Sequence, residues 1–293
     1  MDLPTRMSIL CGIALLLACT SVQAFAIHLT CRGLFVDDKN VECMIPEMMQ
    51  ELASALTLAS VSITKPAAPA SDNTKELLFA RDDGGVVSGL YRSVLNKYVW
   101  TETEYDDDVF HCNDNFIVPA TRNAGNEWID RITNWNFLGP PHTGDGRNKK
   151  HFCGPEDVVK MVAYGEDYPN PSGLPPPKGV KIILCNLVTR QDFRGTLNEM
   201  QGRGELANGA HIQRDLMDRL PYMMGTLHAL VHAALPEAVL PVGKEHMLWG
   251  IYTLRRYDLI NTPSLMAYAF AEKIKEMLHQ YSYFKDGILT SRL

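Results

Sequence analysis

Tyr222-Met223-Met224-Gly225-Thr226-Leu227-His228-Ala229-Leu230-Val231-His232-Ala233-Ala234-Leu235 is the stretch on which the architecture turns. Proline bounds it on both sides, at 221 and 236, and it is long enough for about four helical turns. A segment apolar almost all round reads as a helix inside the core rather than one laid on the surface. His228 and His232 are four residues apart, so on a helix both imidazoles share a face. On spacing alone, two hydrogen-bonded core histidines are the simpler reading. The neighbours shift the balance: they offer few polar partners, and buried ring nitrogens without partners are costly unless something binds them. His246 lies beyond a loop containing Pro236, Pro241 and Gly243, which can fold it back onto the pair. Three imidazoles suffice for a zinc site with one coordination position open. The expected metal ligands are therefore His228, His232 and His246, and the expected cofactor is Zn²⁺.

Upstream, Val180-Lys181-Ile182-Ile183-Leu184-Cys185 is the clearest strand in the chain, preceded by an irregular stretch with five prolines between 169 and 177. Val109-Phe110-His111-Cys112 reads as a second, shorter strand. Pro46 and the residues after it read as a helix with proline in its first turn, ending before the Ala/Pro-rich loop Lys65 to Asn73. Val86 to Tyr98 reads as an amphipathic helix with Val87, Leu90, Val94 and Leu95 on one stripe. Glu127 to Trp135 is expected to be a short helix. Ile212, Leu216 and Leu220 have helical spacing, and Met247 to Tyr257 and Pro263 to Tyr281 extend a helical last hundred residues, the final helix with Thr262 as N-cap. The expected fold class is α+β, predominantly α.

The N-terminus carries Arg6, then a mostly apolar run from Ile9 to Val22, then small residues at Ala24 and Ala26. That order matches a cleavable export signal over residues 1–24, and a run of about a dozen apolar residues is too short for the roughly 20 that a bilayer span needs. The expected product is secreted and extracellular, with no membrane association after cleavage. The net charge of -6, without a Lys/Arg-rich block, argues against nucleic acid as a partner. Cys31, Cys43, Cys112, Cys153 and Cys185 remain after cleavage, which in an oxidising compartment suggests two disulfides and one leftover thiol. Cys31 with Cys43 is the simplest local pair; two of the other three make the second. His111 beside Cys112 and His151 near Cys153 read as solvated or structural, Asp106-Asp107-Asp108 as a solvated turn, and the methionines as core filling.

The C-terminal part resembles the aspzincin metallo-endopeptidases, the deuterolysin and peptidyl-Lys endopeptidase group. Their signature is H-E-x-x-H on a helix, then G-T-x-D-x-x-Y-G, then N-A-D-x-Y-A. Here Thr226 to His232 matches the first element, Gly243-Lys244-Glu245-His246-Met247-Leu248-Trp249-Gly250 the second with both glycines in register, and Asn261 to Ala271 the third. The similarity covers about residues 180 to 275, with Ile183-Leu184-Cys185 resembling the strand before the helix. It implies a zincin-like domain with a small N-terminal sheet and a central zinc-binding helix. Residues 25–293 are then one domain, with an N-terminal part at 25–175 and active-site helices at 176–293.

The departures bear on chemistry. The family's general base, the glutamate after the first histidine, is Ala229 here, which accepts no proton. The third ligand is His246 in place of Asp, which keeps a ligand and raises the charge of the site. The last motif's Asp and Tyr are Pro263 and Leu265. Positioned general-base catalysis is worth ~10²- to 10⁴-fold, so zinc binding is expected to survive and efficient peptide hydrolysis is not. The resemblance thus implies a secreted, zinc-binding, metallo-endopeptidase-like protein of low or no activity, facing an extracellular protein or peptide. Two alternatives stay open: a zinc-sequestering or host-interaction protein on the same fold, and an active peptidase with a relocated base, Glu245 or Glu237.

Overall fold

Val180–Leu184 is buried along its whole length and forms the spine of the chain. The computed structural model describes residues 25–36, 38–66, 71–79, 84–98, 108–120, 127–138, 151–163, 179–187, 195–234, 262–278 and 282–291. Strands β1 (Ala26–Ile27), β4 (Val109–His111), β8 (Val159–Ala163) and β9 (Val180–Leu184) form one sheet in the order β1-β4-β9-β8, while β2 (Phe35–Val36) and β3 (Lys39–Asn40) pair as a short hairpin. In the larger sheet the first three are parallel, while β8 runs antiparallel to β9 in the register Val159↔Leu184 to Ala163↔Val180. Both faces of β9 are covered. Val180, Ile182 and Leu184 point into a core shared with the helices, whereas Ile183 and Cys185 join a second core on the other face. Near-continuous apolar sequence is what a strand covered on both sides requires.

The helix-side core is built from α1 (Val41–Ser62), α3 (Gly84–Tyr98), α5 (Pro221–Ala234) and α6 (Thr262–Met277), with the single-turn α2 (Thr74–Leu78) against α6. On α3 the buried stripe is Val87, Tyr91, Val94 and Leu95; Leu90, expected there, is only partly buried. Met44, Met48, Met223 and Met224 all lie in this core, as the composition suggested. Helix α1 begins earlier than Pro46 implied. The Asn40 side chain accepts the Glu42 N–H and caps it, leaving the proline inside the helix and buried. Helix outweighs strand among the described residues, 49% to 21%, in a mixed α+β chain.

Three local expectations fail. Glu127 to Trp135 is not a helix: β6 (Glu127–Asp130) and β7 (Trp135–Leu138) form a hairpin, extended by β5 (Ile117–Pro119) into an antiparallel sheet. Trp128 and Asp130 alternate inward with period two, and Asn134 takes φ 56° to close the turn. Ile212 to Leu220 winds as a π turn and then a 3₁₀ turn. The last helix stops at Met277, and β10 (Ser282–Lys285) pairs with β11 (Ile288–Ser291) around Asp286-Gly287, both with positive φ. Asp-Gly between strands is the tight-turn signal that the helical reading of the C-terminus passed over. The expected helix over Met247 to Tyr257 lies outside the described residues.

The second core packs the β5–β7 sheet on the back of β9, through Phe116, Ile117, Trp128, Phe137, Phe152, Val162, Ile183 and Cys185. One disulfide belongs to this core and one to the helix-side core. Cys153–Cys185, with Cα atoms 5.7 Å apart, ties the end of β9 to the segment before β8. Cys31 pairs with Cys112 rather than with Cys43, at a Cα separation of 5.0 Å. Parallel pairing of Ile27 with Phe110 brings the residues just beyond the two strands together, and that long-range register overrides proximity in sequence. Cys43 is also disulfide-bonded, where a leftover thiol was expected. Such bonds persist in oxidising compartments. Among the described residues no helix is long and apolar enough to cross a membrane. The expected export signal at residues 1–24 lies outside them.

Helix α5 approaches β8 most closely at Gly225, where an added Cβ would sit 2.7 Å from Val159 Cγ2 and 2.8 Å from its Cβ. Both atoms are close to the backbone and cannot swing aside. Gly225→Ala is expected to lower stability by about 1–3 kcal/mol in urea denaturation, and adding Val159→Ala should recover part of that loss.

Candidate functional site

The two histidines of α5 do not sit in a dry interior. Eight of the helix's residues are buried, including Leu227, Ala229, Leu230 and Val231. Pro221, Gly225, His228 and His232 are half-buried, as are Ala233 and Ala234 in the last turn. The first four recur at intervals of four, three and four, so they form a stripe along a helix that is enclosed elsewhere up to that turn. The cost of hiding four ring nitrogens, which the apolar sequence implied, is therefore not incurred in full. Water reaches this stripe.

On it, the His228 and His232 rings have centroids 4.6 Å apart and planes inclined by 51°. The rings are neighbours on one helix face, and imidazole is by its chemistry a fitting donor for zinc. His246 and its neighbour Glu245 lie outside the described residues, as does Glu237. Among the described residues, no group of three His, Cys, Asp or Glu is placed to hold a metal ion. Ala229 is 5% exposed and has no side chain with which to move a proton.

Three contacts fix where the stripe lies. The Tyr222 hydroxyl donates to the Cys185 carbonyl at 2.8 Å, bolting the first turn of α5 to the end of β9. Gly225 lets the helix settle on Val159 of β8. Lys97, at the end of α3, donates to the Ala233 carbonyl at 2.8 Å and answers the negative end of the helix dipole. The end of β9 is itself held. Asn186 takes φ 57°, and its amide donates to the carbonyls of Gly154 and Asp157 at 2.8 and 2.9 Å. Among the described residues, β8 has β9 as its only strand neighbour.

A second group of polar side chains, on the far face of the sheet, was not anticipated. Lys181 and Asp130 form an ion pair with both side chains out of solvent. His111 lies on the same face of the sheet, 1% exposed, and among the described residues neither ring nitrogen has a hydrogen-bond partner. Its ring stands between His28 and Phe116, at centroid distances of 4.3 and 4.1 Å. Burial above all, then the nearby His28 and Lys181, lower its pKa to about 3. The solvated or structural role expected of His111 is thus resolved as a buried one. One sequence signal could have revealed the group: Lys181 interrupts an apolar strand, and a buried cation requires a buried anion. Asp108, expected in a solvated turn, is also buried and accepts the Val180 N–H at 2.6 Å. His151 does lie near solvent, 3.7 Å from Asp114.

A groove of about 470 Å³ between α1, α6 and the short helix α4 (Leu197–Gly202) is lined by Glu47, Glu51, Glu199 and Lys273. Glu51 is already committed, since it accepts the N–H groups of Leu197 and Asn198 at 2.7 and 3.0 Å and caps α4. Comparison of the chain with protein-family models, characterised proteins and solved structures finds no match.

The bond from Tyr222 to β9 is the part of the site open to a simple check. Tyr222→Phe leaves the buried Cys185 carbonyl without this donor and should cost about 1–2 kcal/mol, read as a lower urea midpoint at unchanged slope.

Proposed function

We propose that this chain is a secreted zinc-binding protein of metallo-endopeptidase type, with weak or absent peptide hydrolysis because Ala229 occupies the general-base position. The observation that carries the proposal is the half-buried stripe of α5. The helix's two histidines sit on its half-buried line, side by side, on a rigid element anchored at both ends. Core histidines kept for packing have no need of that line. The course of the chain agrees with the resemblance: a small sheet, a strand at its centre, then the histidine helix, with both sheet and helix feeding one core.

His228 and His232 would hold the ion from α5, with His246 as the third donor. A zinc ion bound there supplies Lewis-acid polarisation of a carbonyl. Strand β8, running beside the helix, offers main-chain groups with which an extended peptide can pair. What the chain lacks is a carboxylate on α5 to take up a proton, and that separates binding from turnover. Export into an oxidising compartment accords with the two described disulfides.

The test uses the full secreted protein. After loading and dialysis, wild type should retain roughly one zinc per chain, as three-donor sites do, and His228→Ala, His232→Ala and His246→Ala should each lose it. Casein cleavage should be near background in wild type and rise by ~10²- to 10⁴-fold in Ala229→Glu. Wild type without retained zinc would overturn the proposal. Chelator-sensitive cleavage at equal rates in wild type and Ala229→Glu would overturn its inactive half and favour a relocated base.

A further inference from the structure

The N-terminal strand is held by a device that the zinc reading does not use. β1 has two residues and bonds to β4 through the N–H of Ala26 to Asp108 O and the N–H of His28 to Phe110 O, both at 2.9 Å. So short a strand needs help to stay paired. His28 gives it: Nδ1 accepts the Thr30 N–H at 3.2 Å and caps the 3₁₀ turn Leu29–Cys31. Thr30 Oγ1 then accepts the Cys112 N–H at 3.1 Å, linking the turn to the end of β4. The His28 ring lies against His111, and His111 against Phe116.

From this geometry we infer that His28 and His111 form an acid-released latch, which holds residues 25–30 on the sheet at neutral pH and lets them go in acid. An imidazole that accepts at Nδ1 must be without a proton there, so protonating His28 removes the cap. Protonating His111 puts a charge between two rings, with no hydrogen-bond partner on either nitrogen among the described residues. The charged and titratable groups facing it are His28 from the end of β1, Lys181 from β9 and Asp130 from β6. Asp130 alone would welcome the charge, and its carboxylate already holds Lys181. Both events strike the same joint. The Cys31–Cys112 disulfide keeps the freed segment tethered, and its departure uncovers Phe110, against which Phe25 packs with ring centroids 5.2 Å apart.

The sign follows from the shifted groups. Burial, then Lys181, lowers the His28 pKa, and His111 titrates at about 3 against an ordinary value of 6.5. The closed state therefore disfavours the proton. The latch is at full strength above the ordinary value, and opening becomes tenfold easier for each pH unit below it, until His111 itself titrates in the closed state.

Amide hydrogen exchange on the full protein reads this directly. Corrected for intrinsic rates, opening at Ala26, His28 and Cys112 should increase on the order of 50-fold between pH 7 and pH 4.5, while Leu52 and Leu56 of α1 hold their protection. His111→Phe keeps the ring stack and removes the proton site, and should abolish most of the rise. His28→Asn keeps an acceptor for Thr30 and should reduce it. No rise in wild type, an equal rise in His111→Phe, or parallel loss at Leu52 and Leu56 would each overturn the latch. Should His111→Phe fail to fold, titration of the His111 ring by NMR in wild type decides: a midpoint above about 5 removes the driving force.

Discussion

Burial of β9 on both faces is the constraint from which the rest of the structure follows. A strand of five residues with no wet side must find two cores, and it does: helices on one face, the β5–β7 sheet on the other. Each aliphatic side chain it buries contributes roughly 1.5–3 kcal/mol. The alternation that sends Val180, Ile182 and Leu184 one way sends Lys181 the other, into a place where a lone cation is intolerable. Asp130 answers it. Such a pair adds little net stability, because desolvation offsets the attraction, whereas removing one partner typically costs 3–5 kcal/mol. Lys181 therefore does more to specify which sheet packs on β9 than to strengthen the packing.

The same strand places the helix of interest. Its last residues carry the disulfide to Cys153, the left-handed Asn186 that gathers the 154–157 loop, and the carbonyl to which Tyr222 bonds. Helix α5 starts from that fixed point, rests on β8 at Gly225 and ends on Lys97. Its half-buried stripe passes through Gly225, beside β8, and carries His228 and His232. Rigid backing of this kind is what a metal or ligand site requires, since donors that wander by an ångström lose most of their affinity.

The two histidine pairs make an instructive contrast. His228 and His232 share a helix face that water reaches. His28 and His111 meet from neighbouring strands, His28 half-buried and His111 out of solvent, where a proton is penalised. Similar rings at similar separations are suited to opposite ends, one to taking up a cation and the other to refusing one. Surroundings, not residue type, make the difference.

Patterns within one element were legible in the chain. The buried helix at 221–234, the strand at 180–184, the strand at 109–111, the helix over 84–98 and the shared face of His228 and His232 all follow from spacing and apolarity, because period and side-chain direction are local properties. What depended on partners was not. The 127–138 hairpin needed a second strand to pair with, the C-terminal hairpin hung on one Asp-Gly turn, and Cys31 found Cys112 only because β1 and β4 run in parallel. The chain alone said that two imidazoles point the same way. Only the tertiary structure decided that they lie on a half-buried line of their helix, and that Lys181, Asp130, His111 and His28 meet beneath the sheet. Contacts between residues distant in sequence are set by packing, which no local pattern encodes.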